Sequence, residues 1–131
     1  MYNCLFYGSL RKGEYNESYF NKGGFNFIST VKIPGYKLYS LGVYPGIKRG
    51  DKSDFIICDA VQIEDKELFT SIHLMELSAG YSVDNIKLNL NGKEESYVLY
   101  VYDGKVEEEC LVESGDWVKF NNKKEKTICV D

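Results

Sequence analysis

Six short runs of aromatic and β-branched residues, each bounded by Gly, Pro, Asn or Asp, restrict this chain to a small sheet-rich fold. They are Tyr2–Tyr7, Phe25–Ile33, Tyr36–Leu41, Phe55–Ile63, Tyr81–Leu90 and Ser96–Tyr102. Asn91-Gly92 predicts a tight hairpin between the last two, because both residue types tolerate the positive φ that such a turn needs. Pro34-Gly35 and Pro45-Gly46 read as turns between earlier runs. One helix is expected: Asp65 can cap an N-terminus, and Leu68, Phe69, Ile72 and Met75 recur at helical spacing. The pattern is that of an α+β domain of about six strands and one principal helix. Strands joined by such short turns can either close on themselves or lie in an open sheet.

The chain has 131 residues, enough for one core without metal or disulfide support. Residues 1–131 read as a single domain, with 121–131 as an exposed, dispensable tail because Asn121 to Lys126 offer no buried face. A formal net charge of −4 argues against a nucleic-acid surface, which would be basic. No apolar run approaches the length that spans a bilayer. The opening Met-Tyr-Asn-Cys lacks the charged and apolar regions of a signal peptide, so a cytoplasmic location is expected. Cys4, Cys58, Cys110 and Cys129 are scattered without a Cys-x-x-Cys pair, which speaks against structural zinc. Cys4 and Cys58 lie in strand-like runs, where a thiol behaves as a small hydrophobe. Most of the eleven tyrosines suit amphipathic strands, and Tyr100 and Tyr102 should share one face.

Two places carry chemistry. The run Tyr2–Tyr7 breaks into Gly8-Ser9, and glycine permits torsions and close approaches that a side chain would block. A loop starting there can turn N–H groups toward a bound anion, with the Ser9 hydroxyl as a further donor; equally, a strand can simply end in such a turn. Glu76 falls four residues after Ile72 and seven after Phe69, on the inner flank of the helical stripe. A carboxylate there is costly unless paired or used. Periodicity alone fits a boundary glutamate reaching solvent as well as a functional one.

The string Tyr7-Gly8-Ser9-Leu10-Arg11-Lys12-Gly13, with Asn16 three residues on, resembles the first motif of the γ-glutamylcyclotransferase-like family. That family includes γ-glutamylamine cyclotransferases and plant AIG2-like proteins. Tyr44-Pro45-Gly46 is similar to the family's Tyr-Pro-Gly segment, and Asp59-Ala60-Val61-Gln62-Ile63 takes the place of its central strand. Ile72-His73-Leu74-Met75-Glu76 followed by Tyr81 resembles its helical acidic element. Ser114-Gly115-Asp116-Trp117 is similar to a motif of bacterial members. The departures are His73 for an acidic residue, Val83 for an arginine, and Asp59-Ala60 for Gly-Glu.

The resemblance implies a small mixed β-barrel with flanking helices, and a site where the loop after the first strand meets the helix. It places the catalytic glutamate at Glu76, and substrate contacts at Tyr7, Gly8, Ser9, Leu10 and Tyr102. The implied reaction cyclises a small γ-glutamyl compound to 5-oxoproline and a free amine, with no metal or organic cofactor and no nucleic-acid or membrane partner. The alternative is a non-catalytic module that binds a small carboxylate or amino-acid-like ligand in the same pocket. Oligomeric state is not readable.

Overall fold

In the computed structural model of the chain, residues 1–8, 10–11 and 24–122 are described. They form seven strands: β1 (Tyr2–Phe6), β2 (Phe25–Pro34), β3 (Tyr36–Ser40), β4 (Pro45–Arg49), β5 (Phe55–Ile63), β6 (Tyr81–Leu90) and β7 (Lys93–Tyr102). The principal helix, α1 (Lys66–Ser78), lies between β5 and β6, and a short α2 (Trp117–Asn122) follows a single 3₁₀ turn. Five strands make one sheet in the order β2-β5-β1-β7-β6, and β3 and β4 pair as a separate ribbon. The sheet is mixed, since β1 runs antiparallel to β5 and parallel to β7. The α+β class and single principal helix hold. Among the described residues the barrel does not close: β2 and β6 are edges, and β3 and β4 form a separate ribbon, with Tyr39 of β3 also bridging to Leu111.

Burial follows the alternation of the central strands. Leu5, Tyr7, Leu99 and Val101 pack toward the ribbon, with Leu38, Ile47 and Trp117. Cys4, Phe6, Val61 and Tyr100 pack on the opposite side, toward α1 and its buried Ile72. Strand β1 is therefore covered on both faces, which is why it reads as a continuous apolar run. The thiols of Cys4 and Cys58 are wholly buried, and burial pushes the Cys4 thiol up to about 12. They remain protonated packing groups.

Asn91 (φ 55°) and Gly92 (φ 79°) both occupy positive φ, and Leu90 pairs with Lys93, the expected two-residue hairpin. Gly35 (φ 91°) turns the chain between β2 and β3 as expected, but the second Pro-Gly reading needs correction. Pro45-Gly46 is the start of β4, not the turn: Ser40 pairs with Pro45 and Tyr39 with Gly46. The reversal is Leu41–Tyr44, closed by the Leu41 N–H on the Tyr44 carbonyl at 2.9 Å. Proline is tolerated at the first residue of a strand, so its presence did not exclude one.

Helix α1 starts where expected, with the Asp65 carboxylate accepting from the backbone of Glu67 and Leu68. It ends two residues past Glu76, and Leu74 and Leu77 are exposed on its outer face. The Ser114–Trp117 motif docks the C-terminal segment on β5. Ile57 N–H donates to the Gly115 carbonyl at 2.8 Å, and Gly115 has φ 70° with no room for a Cβ beside the Phe55 carbonyl. Trp117 is 1% exposed in the ribbon-side core. Asp116 also accepts from Arg11 at 2.9 Å, and Arg11 Nε lies 3.4 Å from Asp59. These two ion pairs of the buried Arg11 fasten the loop after β1 to β5 and to the start of α2. The expected tail overlaps α2 at Asn121 and Asn122, and its remainder lies outside the described residues.

Candidate active site

A cavity of about 310 Å³ opens where β1 ends. Strand β1 and the loop after it contribute Leu5, Phe6, Tyr7, Gly8 and Leu10. The β3–β4 hairpin adds Tyr44 and Pro45, α1 and its end add Met75, Glu76 and Ala79, and Tyr81 and Tyr100 complete the lining. Gly8 is required by a close approach: a Cβ there would stand 2.9 Å from Pro45 Cγ. Gly8→Ala should therefore push the loop and the β3–β4 hairpin apart and destabilise the fold by about 1–3 kcal/mol, as overpacking does. Denaturant unfolding checks this, and an unchanged midpoint would show that the two segments separate freely.

Three tyrosines frame the cavity through long-range hydrogen bonds. Tyr7 donates to the Tyr100 carbonyl at 2.7 Å, and Tyr81 donates to the Pro45 carbonyl at 2.7 Å. The Tyr100 hydroxyl lies 2.9 Å from His73 Nδ1, whose ring stacks on Phe69. Buried polar groups with partners of this kind hold their rings in fixed places. Burial raises all three phenols above their usual range, and the charge of Glu76 adds to the shift of each. They stay protonated.

Glu76 is the half-buried carboxyl among them. Burial lifts it from 4.5 to about 7. Desolvation disfavours the charged form, and Tyr7, Tyr81 and Tyr100 line the same cavity. A carboxyl that titrates near neutrality can both accept and return a proton.

The structure brings Tyr7, Gly8, Leu10 and Glu76, four of the residues singled out by the resemblance, to the lining of one cavity. Ser9 lies outside the described residues. Tyr102 does not line the cavity; its ring sits 5.2 Å from that of Tyr81 and its Cβ fills the space beside Gly46. It supports Tyr81 from behind. Tyr100 and Tyr102 share the helix side of β7 as expected, but Tyr100 is the one level with Glu76. The Arg11 N–H is consumed by the Gly8 carbonyl at 3.0 Å, so that donor is not open to an anion. Tyr44, Pro45, Met75, Tyr81 and Tyr100 were not expected to line the site. Tyr44, Pro45, Met75 and Tyr81 belonged to recognised motifs, and that was their available signal. Among the described residues no group of three His, Cys, Asp or Glu side chains is placed to hold a metal ion, and no helix is long and apolar enough to cross a membrane.

The model of the γ-glutamyl cyclotransferase, AIG2-like family matches residues 4–119, from β1 through the cavity to α2. The chain belongs to this family. The γ-glutamylcyclotransferase family protein YtfP of Escherichia coli K12 is 30% identical over 112 residues, covering 86% of this chain and 92% of its own. Protein PH0828 of Pyrococcus horikoshii shares the fold with a TM-score of 0.74 at 23% identity, covering 97% of this chain and 98% of its own. The AIG2-like protein of Mus musculus does so at 0.65 and 14%, covering 89% and 88%. Within this γ-glutamylcyclotransferase-like frame, the His73 departure supplies the partner of Tyr100, and Val83 pairs with Tyr100 across the β6–β7 ladder.

Proposed function

We propose that the protein cyclises a γ-glutamyl amine or γ-glutamyl amino acid, releasing 5-oxoproline and the free amine, with Glu76 as general acid and base. The observation that carries this reading is the Glu76 carboxyl, raised to about 7 inside the cavity at the end of β1. In the cycle, the Glu76 carboxylate takes a proton from the substrate's α-ammonium. The freed amine attacks its own γ-carbonyl carbon, and a new carbon–nitrogen bond closes a five-membered ring. Glu76 then returns the proton to the departing nitrogen as the original amide bond breaks, and the surplus proton of the ring nitrogen passes to the released amine, which leaves as an ammonium. No water is consumed and no other reactant is needed.

The nucleophile is part of the substrate, so most of the catalytic demand falls on holding a folded conformer, which well-oriented intramolecular reactions reward strongly. Backbone N–H groups of the loop that begins at Gly8 hold the α-carboxylate in this reading. The hydrogen-bonded tyrosines shape the space in which the γ-glutamyl chain curls.

The test is incubation of the purified protein with a panel of γ-glutamyl amino acids and γ-glutamyl amines, followed by quantification of 5-oxoproline. Release that saturates with substrate and scales with protein is the expected result. Saturable binding of the same compounds without 5-oxoproline would replace the enzyme by a binding module for amino-acid-like ligands.

A further inference from the structure

Among the described residues, the rim of the cavity carries large apolar side chains that are exposed to water. Tyr44 is 53% exposed and Met75 is 52% exposed, yet both line the cavity that holds Glu76. Val43, next to Tyr44, is 79% exposed. Large apolar side chains flanking the opening of a site mark a surface that a ligand covers.

The Tyr44 side of the rim is held rigidly. The Leu41–Tyr44 reversal is closed at 2.9 Å, Gly42 takes φ 108° and donates to Ser40 Oγ, and the next carbonyl, Pro45, is bound by Tyr81. The Met75 side is adaptable, because a thioether on three rotatable bonds follows irregular shapes. Met75 immediately precedes Glu76 on α1. The departing nitrogen must reach Glu76 to be protonated, so its substituent runs outward beside Met75 and Tyr44.

On the cyclotransferase reading above, we infer that Tyr44 and Met75 form the leaving-group subsite and that the preferred substrate is a γ-glutamyl amide of an apolar, uncharged amine. The rim removes the alkyl or aryl portion of that amine from water, and the γ-glutamyl portion occupies the inner cavity. A carboxylate at the same place would lose hydration against a phenol ring and a thioether, and an ammonium would gain in exchange only the weak cation–π contact of a half-exposed phenol.

Two isosteric compounds test this: γ-glutamyl-n-pentylamide, and the mono-γ-glutamyl amide of 1,4-diaminobutane, in which the terminal methyl is replaced by an ammonium. The expected result is a kcat/KM for 5-oxoproline release at least about tenfold higher for the pentylamide, the scale set by covering a short alkyl chain. Y44S and M75Q, each checked for folding by thermal unfolding, should draw that ratio toward one. Equal rates for the two compounds, or a ratio untouched by both substitutions, would overturn the subsite while leaving the cyclotransferase reading in place. Failure of both compounds and of the wider γ-glutamyl panel to yield 5-oxoproline would overturn the two together.

Discussion

Glu76→Gln should lower 5-oxoproline release by roughly a hundred- to ten-thousand-fold, the worth of a positioned general acid–base group. Glutamine retains the size and much of the hydrogen bonding but cannot accept the proton from the substrate's ammonium. The same substitution has an opposite effect on stability. The Glu76 carboxyl titrates at about 7 in the folded chain against an ordinary 4.5. A group raised in this way contributes fully below about 4.5, and its contribution is lost as pH climbs through 7. Glutamine, uncharged at every pH, removes that loss. At pH 8 the variant should be more stable than the parent, on the order of 1–3 kcal/mol, and at pH 4 the two should converge. Activity assays beside denaturant unfolding at both pH values check the pair of effects. Loss of activity with loss of stability at pH 8 would make Glu76 a structural residue.

Trp117→Ala should remove about 3–5 kcal/mol, the usual consequence of truncating a buried tryptophan. Trp117 is wholly inside the ribbon-side core, packed on Phe120 with ring centroids 5.3 Å apart. It also follows Asp116, which holds Arg11 beside the cavity loop. For a domain of this size the expected fall in Tm exceeds about 10 °C. A loss below about 1 kcal/mol would show that α2 is an appendage and that the Arg11 ion pair does not depend on it.

Much of the fold was legible because local signals and tertiary demands agreed. The Asn91-Gly92 turn, the Asp65 cap and the apolar run of β1 each specify their element from neighbouring residues alone. Strand β4 was missed because Pro45-Gly46-Ile47-Lys48-Arg49 has one large apolar side chain and begins with turn-forming residues. Its extended state is imposed by pairing with β3, with Ile47 buried and Lys48 Nζ reaching the Tyr102 carbonyl at 2.7 Å.

The site divides in the same way. The spacing from Phe69 and Ile72 put Glu76 on the inner flank of α1, and only the family resemblance singled it out from a boundary glutamate. The tyrosine frame was not legible, because Tyr7 meets the Tyr100 carbonyl across 93 positions and Tyr81 meets Pro45 across 36. Alternation puts Tyr100 and Tyr102 on one face of β7, but does not say how far along the strand α1 and its Glu76 stand. Alternation therefore could not separate Tyr102 from Tyr100, the one that lines the cavity. Val43, Tyr44 and Met75 stay exposed beside the cavity, where packing gives no reason for them.

The most direct measurement of the central claim is the pH dependence of kcat/KM for 5-oxoproline release from the best γ-glutamyl substrate. The base form of Glu76 must be present for attack, so the rate should climb about tenfold per pH unit on the acid side and level off through an apparent value of about 7. The inflection should vanish from the residual activity of Glu76→Gln. A wild-type profile that is flat between pH 5.5 and 8.5, or that keeps its inflection in the glutamine variant, would contradict Glu76 as the proton-transfer group.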